Sequence, residues 1–499
     1  MSLDIAKNIS KNVTVLAGTR IVTYLAGFVL IIFLPRYLGA ENYGKLFLGI
    51  SIVSMASIFI DFGGHYLITK EISRSKENAA VTIITSITNR IFLWFFSIVG
   101  VMMFALVAQY SLDVKIVILV LSIGTLWEGT RGVLWCAFQG FEMMEYPSNA
   151  SIIESIFKTV VCVVALILGA NVIVIAILYI TSSFLNTAIL LKFSRRFIPS
   201  FPRVELKTCF NFLKNGIPYF LWSIFGVVYY RIDSVMLSLM TPGHVVGWYG
   251  VAYNFFDILM FVPNILSIAI FPVFARLWKK DDPSLLRTTH KSLEYIIMVG
   301  VPISVVTFAF AEQIIQILFG LEQYAASVFL LKIFGLGVLL VYVDWIIGTT
   351  LLAFDKQRQW SLIALMACCV NIALNYFLIP YTQQHLMNGG IGAAIATIIT
   401  EYFVLISALF LLPKGFFTSF KIDAQLKSLA AGVLMGITIW VTGVINIYWA
   451  FTLVISLLIY FCTLLLFKTL GTDEINFIKS AFSFASIKNS FTINKDKKL

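Results

Sequence analysis

Residues 13–64 read VTVLAGTRIVTYLAGFVLIIFLPRYLGAENYGKLFLGISIVSMASIFIDFGG. Two apolar runs, 13–34 and 44–64, flank a short connection carrying Pro35, Arg36, Gly39, Glu41 and Asn42. A helix needs about 20 apolar residues to cross a bilayer's hydrocarbon core, so each run spans it and the connection is a tight turn. Working outward, fourteen such runs follow one another, the last at 447–468. Of the 499 residues 60% are hydrophobic and 12% charged, against about 25% charged in soluble domains. A water-soluble domain is excluded. The expectation is an all-α polytopic membrane protein with about 14 transmembrane helices. Lys7 and Lys11 precede a first run too long for a signal-peptide core, which predicts an uncleaved first helix.

The net charge of +11 would suggest a nucleic-acid partner if position were ignored. With the N-terminus inside, however, most Lys and Arg fall in inside connections and the C-terminal tail. Arg36, Lys45 and Lys115 alone fall outside. Such an excess is a topology signal: both termini are expected in the cytoplasm of a multi-pass protein of the cell inner membrane, with no nucleic acid bound. The largest inside connection, FSRRFIPSFPRVELKTCFNFLKNG, divides the first twelve helices into six and six. The expected organisation is an N-lobe over 1–193, a cytoplasmic inter-lobe linker over 194–215 and a C-lobe over 216–412. Helices 13 and 14 occupy 413–468, and a basic cytoplasmic tail 469–499. The lobes match in length and each opens its second helix with Tyr-Gly (Tyr43-Gly44, Tyr249-Gly250), as parallel repeats would.

No P-loop, HExxH or GxSxG motif occurs, and His65, His244, His290 and His385 are scattered. Six cysteines lie mostly in apolar runs without metal-ligand spacing. Neither catalysis, a metal nor a cofactor is expected, and the outside connections are too short for the enzymatic alternative of a polysaccharide polymerase or ligase.

IFLPRYLGAENYGKL followed by DFGGHYLITKEISR, then RIDSVMLSLM, LFGLEQYAASVFLLKIFGLG and NIALNYFLIPYTQQHLMNGGIGAAIATIITE occur in that order. With the helix count, this series resembles the polysaccharide-transporter branch of the multidrug/oligosaccharidyl-lipid/polysaccharide (MOP) exporter superfamily. Departures are Asp355, where members often carry Gly, and the extended YTQQHLMNGG turn. The resemblance implies two pseudo-symmetric, MATE-like six-helix lobes plus two C-terminal helices.

Ionisable groups at membrane depth are costly and face partners or a wet cavity. The first lobe carries Arg20, Arg90, Glu128, Arg131, Glu154 and Lys158, with Asp61 near its inner boundary. Glu128 with Arg131 and Glu154 with Lys158 have spacings that permit neutralisation on one helix face. Arg20 has no opposite charge within a turn; snorkelling or cross-helix pairing is its alternative to substrate contact. In the second lobe Arg231 and Asp233 point to different faces, one towards a cavity and the other to a cross-link. Candidate substrate-binding residues are therefore Arg20, Arg90, Arg131, Lys158 and Arg231. Candidate ion-coupling residues are Asp257, Asp344 and Glu401, each with a structural interhelical hydrogen bond as the alternative.

Together these readings lead to an expected flippase. It would move a polyprenyl-diphosphate-linked oligosaccharide from the cytoplasmic to the outer leaflet by alternating access, for surface polysaccharide or O-antigen synthesis. Its expected partners are that substrate, the lipid bilayer, cytoplasmic glycosyltransferases and a polysaccharide polymerase. The alternatives are a cation-coupled multidrug exporter and a peptidoglycan-precursor flippase.

Overall fold

A computed structural model describes residues 3–195, 202, 205–280, 284–413, 415–416, 422–467 and 469. Every regular element among them is helical. The expected basic tail, Thr469 apart, and residues 196–201 and 203–204 of the expected linker lie outside the described residues.

Helix α1 runs from Leu3 to Asp61, 59 residues. At about 1.5 Å per residue it would be roughly 90 Å long, three times the hydrocarbon thickness, so it contains both crossings of the opening stretch. They separate at Gly39, whose φ of 74° and ψ of 166° interrupt the helix. The Pro35 carbonyl beside the break accepts from the Tyr324 hydroxyl at 2.9 Å, and Gln323 Oε1 accepts from the Ala40 N–H at 3.2 Å. The expected turn is thus a one-residue break.

An element unmarked in the sequence reading follows: α2 (Gly64–Arg74) buries Gly64, Leu67, Ile68 and Ile72 on one face. Next come α3 (Ala79–Val107), α4 (Leu112–Gly140), α5 (Glu145–Ile167) and α6 (Val172–Ser194). Helix α7 (Leu206–Met240) starts ten residues before the expected boundary at 216, so the second part of the expected linker is helical. The apolar run at 248–275 divides into α8 (Gly243–Leu259) and α9 (Phe261–Lys279). Pro263 is the third residue of α9, where the missing N–H costs no helical hydrogen bond, whereas a continuous helix would have needed it. Similarly, 291–318 divides into α10 (Ser284–Ala309) and α11 (Ala311–Leu318). The remainder is α12 (Leu321–Ala353), α13 (Gln357–Leu386), α14 (Gly389–Leu409), α15 (Asp423–Val444) and α16 (Trp449–Leu466). Asp355, where relatives often have Gly, takes φ 58°, the left-handed region that glycine enters freely and Asp tolerates.

Among the described residues twelve helices are long and apolar enough to cross a membrane, and the first, Gly18–Arg74, has length for two crossings. The protein is a multi-pass membrane protein.

The helices form two compact units. One comprises 1–262, 311–334 and 355–411. It contains the helices of 1–193 and, from 216–412, α7, α8, α11, α13, α14, the first two residues of α9 and the first part of α12. Here α1 packs on α4, α5, α7 and α8, and α13 on α7 and α14. The other comprises the described residues of 263–310, 335–354 and the chain from 412 onward. Within it Val301, Ala431, Met435, Tyr460 and Leu464 form a core in which the Tyr460 hydroxyl donates to the Met298 carbonyl at 2.8 Å.

In the first unit α1 and α8 approach backbone to backbone. A Cβ on Gly44 would lie 2.5 Å from the Gly243 carbonyl oxygen, and one on Gly247 would overlap the Ala40 carbonyl. The two Tyr-Gly elements sit at this contact: Tyr43 stacks on Phe47 and Tyr249 on Tyr253, in each case four residues on.

Candidate functional site

A cavity of about 220 Å³ lies within the first unit, enclosed by α1, α5, α6, α7 and α8. Its polar lining includes Thr23, Lys158, Thr159, Tyr179, Arg231 and Asn254, and no carboxylate lines it. Lys158 Nζ stands 5.1 Å from the centroid of the Tyr179 ring, and the Arg231 guanidinium 5.9 Å from that of Tyr253. Each ring's negative face offsets part of a cation's desolvation without cancelling its charge. The wall is held by hydrogen bonds between elements: Asn254 Nδ2 donates to the Tyr43 hydroxyl at 2.5 Å, and Thr159 Oγ1 to the Ala26 carbonyl at 3.1 Å. Gly27 supplies space, since a Cβ there meets no described atom within 4 Å. Arg20 is exposed on α1, and the spacing Arg20, Thr23, Gly27 puts it on the helix face that lines the cavity. No acidic group among the described residues forms an ion pair with it.

Two other candidate cations are engaged elsewhere. Arg90, 5% exposed, is ion-paired to Asp61 and donates to the Gly129 carbonyl, tying α3 to the end of α1 and to α4. Arg131 pairs with Glu154 at 2.7 Å, and Asn186 Nδ2 donates to the same oxygen at 2.7 Å. The intrahelical pairs that the spacing allowed, Glu128 with Arg131 and Glu154 with Lys158, are not formed. Glu128 is exposed, and Lys158 is turned to the cavity. Packing decides this, because α4, α5 and α6 bring Glu154 to a partner across the interface that satisfies it better than its own helix does. Replacing Arg131 by Met and Glu154 by Gln, singly and together, is expected to give a coupling energy of about 1–3 kcal/mol in a thermal-unfolding double-mutant cycle. Independent, additive losses would contradict the pair.

Of the candidate carboxylates, Asp257 lies within electrostatic reach of Arg231. Glu401 accepts from the Tyr229 hydroxyl at 2.6 Å. Asp344 is buried on α12 in the second unit. Asp233 cross-links as its position suggested. Buried to 3% exposure, its Oδ1 accepts from Asn375 Nδ2 at 2.6 Å; Oδ2 accepts from the hydroxyls of Thr397 at 2.7 Å and Tyr249 at 3.1 Å. Four helices, α7, α8, α13 and α14, meet at that carboxyl.

Sequence reasoning passed over Asn254, Thr159 and the junction of the α1–α2 turn with α7. At that junction Phe62 stacks on Phe220 at 4.5 Å and Tyr66 on Tyr219 at 6.0 Å, while Gly63 and Gly216 allow the backbones to touch. Only the interrupted aromatic runs signalled it.

This cationic chamber in a bundle of crossing helices is set in a fold shared with known exporters. The lipid II flippase MurJ, in its inward closed conformation, superposes with a TM-score of 0.75 at 16% identity, covering 92% of this chain and 99% of that one. An inward-facing multidrug resistance transporter of the MATE family and MOP superfamily gives 0.65 at 13% identity, over 80% and 97%. These likenesses show the fold: the class is a MurJ- and MATE-like helical membrane bundle. Residues 9–278 match the family described as "Polysaccharide biosynthesis protein", and 218–377 also match MatE. The chain belongs to the polysaccharide biosynthesis protein family. Among curated relatives, the "Probable low-salt glycan biosynthesis flippase Agl15" of Haloferax volcanii is 26% identical over 200 residues. The chain spans 40% of that relative's length.

Proposed function

We propose that this protein flips a polyprenyl-diphosphate-linked oligosaccharide from the cytoplasmic to the outer leaflet of the inner membrane, for surface polysaccharide synthesis. The observation that carries the reading is the convergence of Lys158 and Arg231 on one cavity with no carboxylate in its lining. A diphosphate-sugar head taken bare through hydrocarbon would leave each polar group unsatisfied at a cost of several kcal/mol. A chamber with two cations, hydroxyls and an amide replaces water for it. At about 220 Å³ the cavity is below the ~300–1,000 Å³ of drug-sized sites, so it admits the diphosphate while the sugars require an opened state. Arg20, on the cavity face of α1, receives the head; Arg90 and Arg131, held in their ion pairs, position the helices instead. The division into lobes over 1–193 and 216–412, rocking about the cavity, belongs to this proposal, and the name of the Haloferax volcanii relative is consistent with it. A cation-coupled drug exporter would call for an acidic chamber, which this is not.

Lys158→Met with Arg231→Met removes two charge-assisted contacts of about 1.5–3 kcal/mol each, so surface glycan should fall roughly a hundredfold with protein still in the membrane. Undiminished glycan would overturn the assignment. Asp257, beside Arg231, is the carboxylate placed to link ion uptake to substrate release. Flipping that continues with proton and sodium gradients collapsed would remove Asp257, Asp344 and Glu401 from any coupling role.

A further inference from the structure

A second cavity, about 440 Å³, lies between α4 and α6, and shares no lining residue with the chamber. Its lining is graded. Trp127, Phe184, Ala188 and Leu191 provide an apolar channel, and Lys192 and Arg195 stand at the end of α6. These two cations are three residues apart, hence on one helix face, and both are exposed. The positive-inside reading places that end of α6 at the cytoplasmic surface.

The channel is firmly built. Thr187 Oγ1 donates to the Trp127 carbonyl at 2.9 Å, and the Trp127 and Phe184 rings meet edge-on at 4.9 Å. Asn186, the neighbouring residue, is fixed to Glu154 on α5. A cation pair at the interface above an aromatic and aliphatic channel matches a molecule with one anionic head and an acyl chain. We infer that this groove holds an anionic phospholipid of the cytoplasmic leaflet, its phosphate on Lys192 and Arg195 and one chain along Trp127, Phe184 and Ala188. Two positive charges with no carboxylate in the lining favour a net-negative head over a zwitterionic one, whose ammonium group they repel. Cations at a helix C-terminus also favour the helix dipole, but that effect requires no channel beside them.

The site is independent of what the central chamber carries. Its test is native mass spectrometry of the full-length protein in detergent, with phosphatidylglycerol and phosphatidylcholine of equal chain length. Wild type should retain phosphatidylglycerol roughly tenfold more than phosphatidylcholine. Lys192→Ala with Arg195→Ala should bring the ratio near one, and Lys192→Arg with Arg195→Lys should preserve it. Trp127→Ala should weaken both lipids alike. Equal retention by wild type, or a preference that survives the double alanine variant, overturns the inference. So does displacement of phosphatidylglycerol by inorganic phosphate alone, which would assign the cations to a free anion.

Discussion

Asp233→Ala should leave little folded protein in the membrane. Its carboxyl is the common acceptor for Asn375, Thr397 and Tyr249, on three helices packed around α7. Interhelical hydrogen bonds in membranes are worth about 0.6–1.7 kcal/mol each, so three lost together cost about 2–5 kcal/mol. Removing a buried carboxyl also relieves its own desolvation, and Thr397 and Asn375 keep the Ala393 carbonyl and Asn371 Oδ1 as acceptors. Alanine, however, supplies none for the buried Tyr249 hydroxyl and breaks every link between helices made through this carboxyl. Against a total stability of about 5–15 kcal/mol, that loss is enough to reduce accumulation severely. The check is fluorescence-detected size exclusion after a temperature ramp. Thr397→Val and Asn375→Leu should each lose only one such bond, and Asp233→Asn, which keeps one acceptor oxygen, should fall between. A thermal midpoint for Asp233→Ala equal to that of Thr397→Val would refute the four-helix cross-link.

Gly247→Ala should separate α8 from α1. Here the added methyl meets the Ala40 carbonyl, which is backbone and cannot turn aside as a side-chain tip would. Overpacking costs about 1–3 kcal/mol where side chains can adjust, and an obstructing backbone puts this substitution at the upper end or beyond. Function should suffer more than accumulation, because α8 carries Asn254 and therefore part of the cavity wall. Transport should fall at least tenfold even where the protein is still inserted. Gly436→Ala on α15 is the control: a Cβ there meets no described atom within 4 Å, so stability and transport should be unchanged. If Gly247→Ala behaved like Gly436→Ala, the close α1–α8 contact would be wrong.

Some of this was open to reading from residue order alone. Apolar runs of membrane-spanning length are a local property, set by the hydrocarbon thickness, so the crossing helices could be marked without knowing their neighbours. The separation of Arg231 from Asp233 was local too: two residues apart on a helix means different faces, and one lines the cavity while the other cross-links. Asp355 illustrates a boundary case, since a Gly-favouring position is visible in the sequence but its φ of 58° is not.

The partner of each charge was a different matter. Spacing on α4 and α5 permitted two intrahelical pairs, yet Arg131 joins Glu154 across the interface and leaves Lys158 for the chamber. Likewise nothing along the chain distinguishes Gly247, pressed against Ala40, from Gly436 with space around it. Residue order encodes hydrophobicity, length and helix face because these depend on a few adjacent positions. Ion-pair choice, cavity lining and backbone approach depend on which helices meet, and that emerges only when the whole bundle packs.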